Sequence, residues 1–504
     1  MYKFYSVILY RKNNKIATIN QFVWFYNPKM SVKYFGWAAV ERFGANIISL
    51  IGNIALSYLV APSDFGVVGA LAIFSMLIYV FTDCGLSDGI MRKNNASPAD
   101  FNTMFWFNVS VGLAICLIYN ILARPISIYM GVPETEGVMR ALGVGAIFSS
   151  MNIARLTKLR YDLKFKKLSI LNVMSTLSAV ITALILAYMG FSYWAVVALT
   201  VGYVVYMQLF LSLFMEFRVK FEFCVQTFRE LWAFGVNLLF STIVIQVAQN
   251  IYTFLLGRSS AVAEAGYMNQ AQKMEDAPLR SLESVMSVTS YALVAKIGDK
   301  SCRNAEILNM YGMSLFLFFF FSGCLYALGY HVVDVVFAEK WLPIVPYFEV
   351  LLVVGAFRST TRFLQMILKL YGRTDLVRNL VLFENVAVIV SAISLFEVGL
   401  LLALWAYAVI MILMSVVYIW YCSAIADIRR LQLILPLLRS VLIAVASALL
   451  TQLCVVQVGN SFVALISGAF LFLSIHLGFS LILCRENAKI YRQIFMRVMR
   501  KIKK

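Results

Sequence analysis

About fourteen apolar stretches, each close to the length of a membrane-crossing helix, follow one another between residues 36 and 483. They fall near 36–60, 66–90, 102–122, 138–157, 168–189, 192–215, 231–256, 265–293, 307–329, 344–368, 379–397, 400–423, 437–457 and 460–483. A helix needs about 20 mostly apolar residues to cross the hydrocarbon core. Stretches longer than that minimum are expected to tilt. The breaks carry turn chemistry: Pro62-Ser63-Asp64, Pro133, Gly190, Pro343 with Pro346, and Gly459-Asn460. No connection is long enough to hold a separate soluble domain. The pattern predicts an all-α, polytopic membrane protein.

Composition agrees. The chain is 62% hydrophobic and 13% charged, where a soluble domain is about half apolar and about a quarter charged. Its net charge of +18 does not point to nucleic acid, because the basic residues sit in short segments between the apolar runs. Those segments alternate. One set holds Lys29 and Lys33; Arg92 and Lys93; Lys158, Arg160, Lys164, Lys166 and Lys167; Arg218, Lys220 and Arg229; Lys296, Lys300 and Arg303; Lys369, Arg373 and Arg378; and Arg429 and Arg430. The tail from Arg485 to Lys504 continues it, while the opposite loops offer Arg124, Arg258 and Lys340. Cytoplasmic loops carry the Lys/Arg excess, so both termini are expected on the cytoplasmic side of the membrane.

Other chemistry is sparse. The eight cysteines show no CxxC spacing, and the two histidines, His331 and His476, stand alone in or beside apolar runs. No disulfide framework or metal site is expected. Residues 1–29 are too short in their apolar part for a secretory signal, and Met30 is the expected native start. There is no phosphate loop, so ATP is not the expected motor. No long loop is present to hold a glycan polymerase site.

The eighth stretch is the most polar. Lys273, Asp276, Arg280 and Glu283 step by 3, 4 and 3 residues, one stripe of a helix. Such a stripe fits the wall of a wet cleft, the alternatives being mutual neutralisation by neighbouring turns or a helix lying at the membrane surface. A surface helix would put the basic tail outside, so the charge alternation favours a crossing. The first stretch carries Arg42, Asn46, Ser49 and Asn53 in similar steps, with Glu41 beside Arg42. Arg42 fits either the cleft or snorkelling to the headgroups. Asp83 and Asp88 lie toward the end of the second stretch, and Gln246, Gln249 and Asn250 in the seventh. In the tenth, Arg358, Arg362 and Gln365 share a face, with Arg358 near mid-span, where a charge is costly and marks a cavity or a partner. Guanidinium donors match phosphate oxygens, so these residues point to an anionic, phosphorylated cargo.

Weak internal symmetry joins the halves. Pro62-Ser63-Asp64-Phe65-Gly66 after the first stretch corresponds to Ala263-Glu264-Ala265-Gly266 after the seventh. Arg160-Tyr161-Asp162-Leu163 after the fourth corresponds to Arg373-Thr374-Asp375-Leu376 after the tenth. Transporters with internal repeats place the substrate between them.

With Ser57–Gly66, Phe81-Thr82-Asp83-Cys84-Gly85-Leu86-Ser87, Arg160–Phe165 and the loop around Gly266-Tyr267, the chain resembles the multidrug/oligosaccharidyl-lipid/polysaccharide (MOP) exporter superfamily. Within it, the chain is most similar to the polysaccharide transporter branch. The resemblance implies a V of two six-helix lobes, as in multidrug exporters of the superfamily (MATE), with two further helices. In this sequence that is an extension at 1–30, lobes at 31–220 and 221–430, helices thirteen and fourteen at 431–484 and a basic tail at 485–504. It implies that spans one, two, seven and eight line the cavity. It also implies a polyprenyl-diphosphate-linked oligosaccharide as cargo, Arg42 against the diphosphate, and coupling to a proton or sodium gradient without a bound cofactor. Glycan polymerase and chain-length regulator proteins are the implied partners, beside the phospholipid bilayer. A lipid II flippase and a MATE-type drug exporter remain the alternatives.

Overall fold

The computed structural model describes residues 44–93, 95–215, 219–258, 262–295, 297–337, 339–455, 458 and 460–483. Glu41 and Arg42, the extension and the basic tail lie outside them. Every regular element among the described residues is helical.

Helix α1 (Ala45–Leu59) ends at an extended Val60. The chain then turns into α2 (Pro62–Ala70), with proline in the first turn, where a missing N–H costs nothing. With α3 (Ala72–Asp83) and α4 (Leu86–Arg92) it makes one crossing of 31 residues, Pro62–Arg92. The α3–α4 break is left-handed at Cys84 (φ 47°) and Gly85 (φ 71°). Gly85 meets Gly235 of the seventh span backbone to backbone, a contact that side chains on both would prevent.

Four crossings complete the first half: α5 (Pro98–Met130), α6 (Glu134–Tyr161), α7 (Phe165–Tyr188) and α8 (Ser192–Phe214). A reciprocal cap starts α5, with Ser97 and Asp100 each bonded to the other's backbone N–H. The second half holds α9 (Val225–Gly257), α10 (Val262–Val294), α11 (Lys300–Val336), a 3₁₀ turn at Glu339–Ile344, α12 (Val345–Leu370), α13 (Thr374–Leu395) and α14 (Leu400–Ala426). Finally, α15 (Arg430–Val455) and α16 (Ser461–Leu483) pack on each other and on α11.

Twelve helices among the described residues are long and apolar enough to cross a membrane. Their outward faces are greasy: Leu117, Ile121, Ile128, Phe470, Leu453 and Ile482 are each more than 60% exposed, as lipid contact requires. The expected count of about fourteen is not reached on length and hydropathy. The two remaining helices are α1, described over 15 residues, and α10. Helix α10 is 33 residues long and carries six charged side chains. It packs against α2 and α12 inside the bundle, with contacts from Gly266 to Leu279. Its charges at 273–280 face the cavity and α12, and a span whose charges face protein or a cavity need not be apolar all round, which is why hydropathy passes over it.

Candidate functional site

The two halves meet at α2 and α10, where Gly66 and Gly266 let the backbones touch. A Cβ on Gly66 would strike the Val262 carbonyl, and one on Gly266 the Pro62 carbonyl. These are the glycines of the two corresponding loops, so the repeat elements lie against each other. Around them the 3₁₀ turn ties the end of α1 to α2 and α10. Lys340 donates from Nζ to the Val60 and Tyr58 carbonyls at 2.9 and 3.2 Å. Trp341, fully buried, donates from Nε1 to the Ser57 carbonyl at 2.8 Å and meets Phe65 edge-on at 5.2 Å. Lys340 thus satisfies carbonyls at the end of α1 that the helix itself leaves open.

Next to this junction, sharing Phe65 with it, lies a cavity of about 280 Å³ walled by α2, α3, α8, α9, α10, α12 and α14. Its lining includes Lys273, Glu275, Asp276, Arg280, Arg358 and Tyr407, three basic and two acidic groups among them. The charges are organised. Arg358 donates from one terminal nitrogen to both oxygens of Glu275 at 3.0 Å and to Asp276 Oδ1 at 2.7 Å. Arg280 donates from Nε to that same Asp276 oxygen at 2.7 Å. The Glu275 side chain is 2% exposed and the Arg358 side chain 11%, whereas Asp276 is 27% exposed and Arg280 51%. The two neighbouring acids, both in the cavity lining, therefore differ in depth, Glu275 being buried and Asp276 partly open. Glu275 reaches its place because Gly355 faces it; a Cβ there would run into Glu275 Oε1 and Leu279 Cδ1. Pro278 interrupts α10 one turn beyond and leaves the Met274 carbonyl without its helical partner.

Polar neighbours extend the wall. Gln272 donates to the Gln249 carbonyl at 3.1 Å and accepts from Thr253 at 3.1 Å, tying α10 to α9. Gln246, Gln249 and Asn250 line the same cavity. On α1, the buried Asn53 donates to Gln270 on α10 at 2.9 Å.

Of the residues the sequence singles out, Lys273, Asp276, Arg280 and Arg358 come together. Glu283 and Arg362 do not line the cavity; they lie further along α10 and α12, within electrostatic range of each other. Asn46 lies in a separate polar crevice with Ser49, Asn172 and Tyr203. Asp83 is also elsewhere, at the end of α3, where its carboxylate accepts from the Ser87 hydroxyl and backbone N–H. Glu275 and Tyr407 were missed. Glu275 falls off the 273–276–280 stripe, and Tyr407 sits in a helix with no charge to draw attention.

Fold and cavity together define a multi-pass, all-helical membrane protein built around a charged central chamber. The chain belongs to the polysaccharide biosynthesis protein family, whose model matches residues 55–346, more than half its length. It is 21% identical to the lipopolysaccharide biosynthesis protein WzxC of Escherichia coli K12, over 68% of this chain and 70% of that one. It is 21% identical to the teichuronic acid biosynthesis protein TuaB of Bacillus subtilis 168, over 82% and 86%. Among solved structures, the lipid II flippase MurJ in an inward closed conformation superposes with a TM-score of 0.74 at 13% identity, over 89% of this chain and 99% of MurJ.

Proposed function

We propose that this protein flips a polyprenyl-diphosphate-linked oligosaccharide from the cytoplasmic to the periplasmic leaflet for surface polysaccharide synthesis. The observation that carries the proposal is the chamber in which Lys273, Arg280 and Arg358 converge inside the bundle. Basic groups held away from bulk water suit a diphosphate, and the polar amides of α9 and α10 suit sugar hydroxyls. Family membership and the names of WzxC and TuaB support a polysaccharide cargo.

The charge alternation of the loops supports placing both termini in the cytoplasm. On that orientation the α2–α10 crossing and the Lys340–Trp341 turn close the periplasmic end. The headgroup then enters from the cytoplasmic side while the lipid tail stays in the bilayer, and rocking of the halves opens the outer end. Arg42, outside the described residues, is a further basic group for the diphosphate. The chain acts as a transporter and not as an enzyme, in a membrane shared with the polymerase that uses its cargo.

The test is deletion, with analysis of the lipid-linked glycan that accumulates inside the cell, followed by complementation. Arg280→Ala is expected to restore protein to the membrane but not glycan to the surface. Full export by that variant would remove Arg280 from the mechanism, and no build-up of lipid-linked glycan on deletion would remove the flippase.

A further inference from the structure

We propose that Asp276 is a built-in counter-anion that sits where the cargo's phosphate binds and leaves when it arrives. The idea rests on the flippase function proposed above. A single oxygen of Asp276 receives Nε of Arg280 and a terminal nitrogen of Arg358, both at 2.7 Å. Two guanidinium groups from two helices thus converge on one anionic oxygen, at the short end of the charge-assisted range. A phosphate oxygen asks for the same donors from the same directions.

The neighbouring acid cannot play this part. Glu275 is buried against Gly355, with both oxygens turned to Arg358. Its task is positioning: it holds Arg358 in place and balances part of its charge. Asp276 lines the same cavity but is open to it, with its side chain 27% exposed. Its donor Arg280 is half exposed and free to turn with it. Lys273, one helical turn away on the same stripe, is a further cation in the cavity lining, with its ammonium over the Phe65 ring at 5.9 Å.

The exchange serves both ends of a transport cycle. In the empty carrier, Asp276 neutralises guanidinium charge that would otherwise be uncompensated away from water. When the diphosphate enters, it takes over Arg280 and Arg358, and Asp276 moves aside. When the chamber opens outward, Asp276 competes the anion off and restores the paired empty state, so the halves can close again. Binding is weakened on purpose in return for release.

Affinity for farnesyl diphosphate, a short prenyl diphosphate, tests this with the full-length protein in lipid nanodiscs. Asp276→Asn is expected to bind it about tenfold or more tightly than the parent, because a competing close charge pair is gone. The same variant should export glycan poorly in cells. Arg280→Ala should bind more weakly. Inorganic pyrophosphate, and not farnesol, should displace the probe, which assigns the gain to the diphosphate. Asp276→Glu, which keeps a carboxylate at the site, should stay near parental affinity and serves if the asparagine variant does not fold. Equal or weaker binding by Asp276→Asn, or tightening in Asp276→Glu, overturns the counter-anion while the Arg280 loss leaves the flippase site standing. Unchanged binding in Arg280→Ala overturns both.

Discussion

Removing Glu275 and Arg358 together should do less harm than removing either alone. Breaking a buried ion pair costs about 3–5 kcal/mol, because the survivor is left as an uncompensated charge, whereas replacing both partners by apolar groups is often neutral. Both side chains here are well inside the protein, at 2% and 11% exposure. The two single changes are not equivalent. Glu275→Met leaves Arg358 its bond to Asp276 at 2.7 Å, so the cost falls toward about 3 kcal/mol, or roughly two orders of magnitude in the folding equilibrium. Arg358→Met leaves Glu275 with no strong donor, and the cost moves toward about 5 kcal/mol, less whatever protonation of the acid recovers. The double variant is expected within about 1.5 kcal/mol of the parent, and it should fail to export glycan because a cavity guanidinium is missing. Thermal unfolding of detergent-solubilised protein, run as a double-mutant cycle, reads the coupling directly. A double variant destabilised by the sum of the singles would refute the claim that the two residues act as a pair.

Gly355→Ala should displace Glu275 and mimic its loss, at about 1–3 kcal/mol for overpacking, measured as a lower midpoint in the same unfolding assay. Trp341→Ala removes a fully buried ring and its bond to Ser57, a change worth about 3–5 kcal/mol. It should loosen the sealed end, seen as faster labelling from outside of a cysteine placed at Ser75, which lines the cavity; unchanged labelling would show that the turn does not seal it. Gly266→Val should separate α2 from α10 and lower the amount of folded protein in the membrane, read by fluorescence-detected size exclusion. Asn53→Leu strands Gln270 in a buried site, and should cost about 1–3 kcal/mol, most of which Gln270→Leu in the same chain should restore.

Much was legible in the sequence because membranes leave few choices. An apolar run of sufficient length has to be a helix in lipid, so most of the bundle follows from hydropathy alone. Helix α10 shows the limit: its charges lower its hydropathy because they face protein and a cavity, so only its place in the bundle explains its length. The candidate site divides in the same way. Spacing within one helix assigned Lys273, Asp276, Arg280 and Glu283 to a common face, and a mid-span arginine drew attention to Arg358. The same logic placed Asn46 on a stripe with Arg42, Arg362 with Arg358 and Glu283 with Arg280, yet Asn46, Arg362 and Glu283 do not line the central cavity, nor does Asp83 near the end of the second span.

What the sequence determined by itself is the helical, membrane-crossing class and which side chains share a face of each helix, because both depend on local periodicity and solvent. What only the tertiary structure decided is which faces meet. Glu275 and Asp276 are adjacent in the chain and both line the cavity, but one is packed against Gly355 at 2% exposure and the other is 27% exposed. Arg358 joins them from a helix more than 80 positions further on. Successive residues point about 100° apart on a helix, and the partner helix packed against each direction gives identical chemistry two different surroundings.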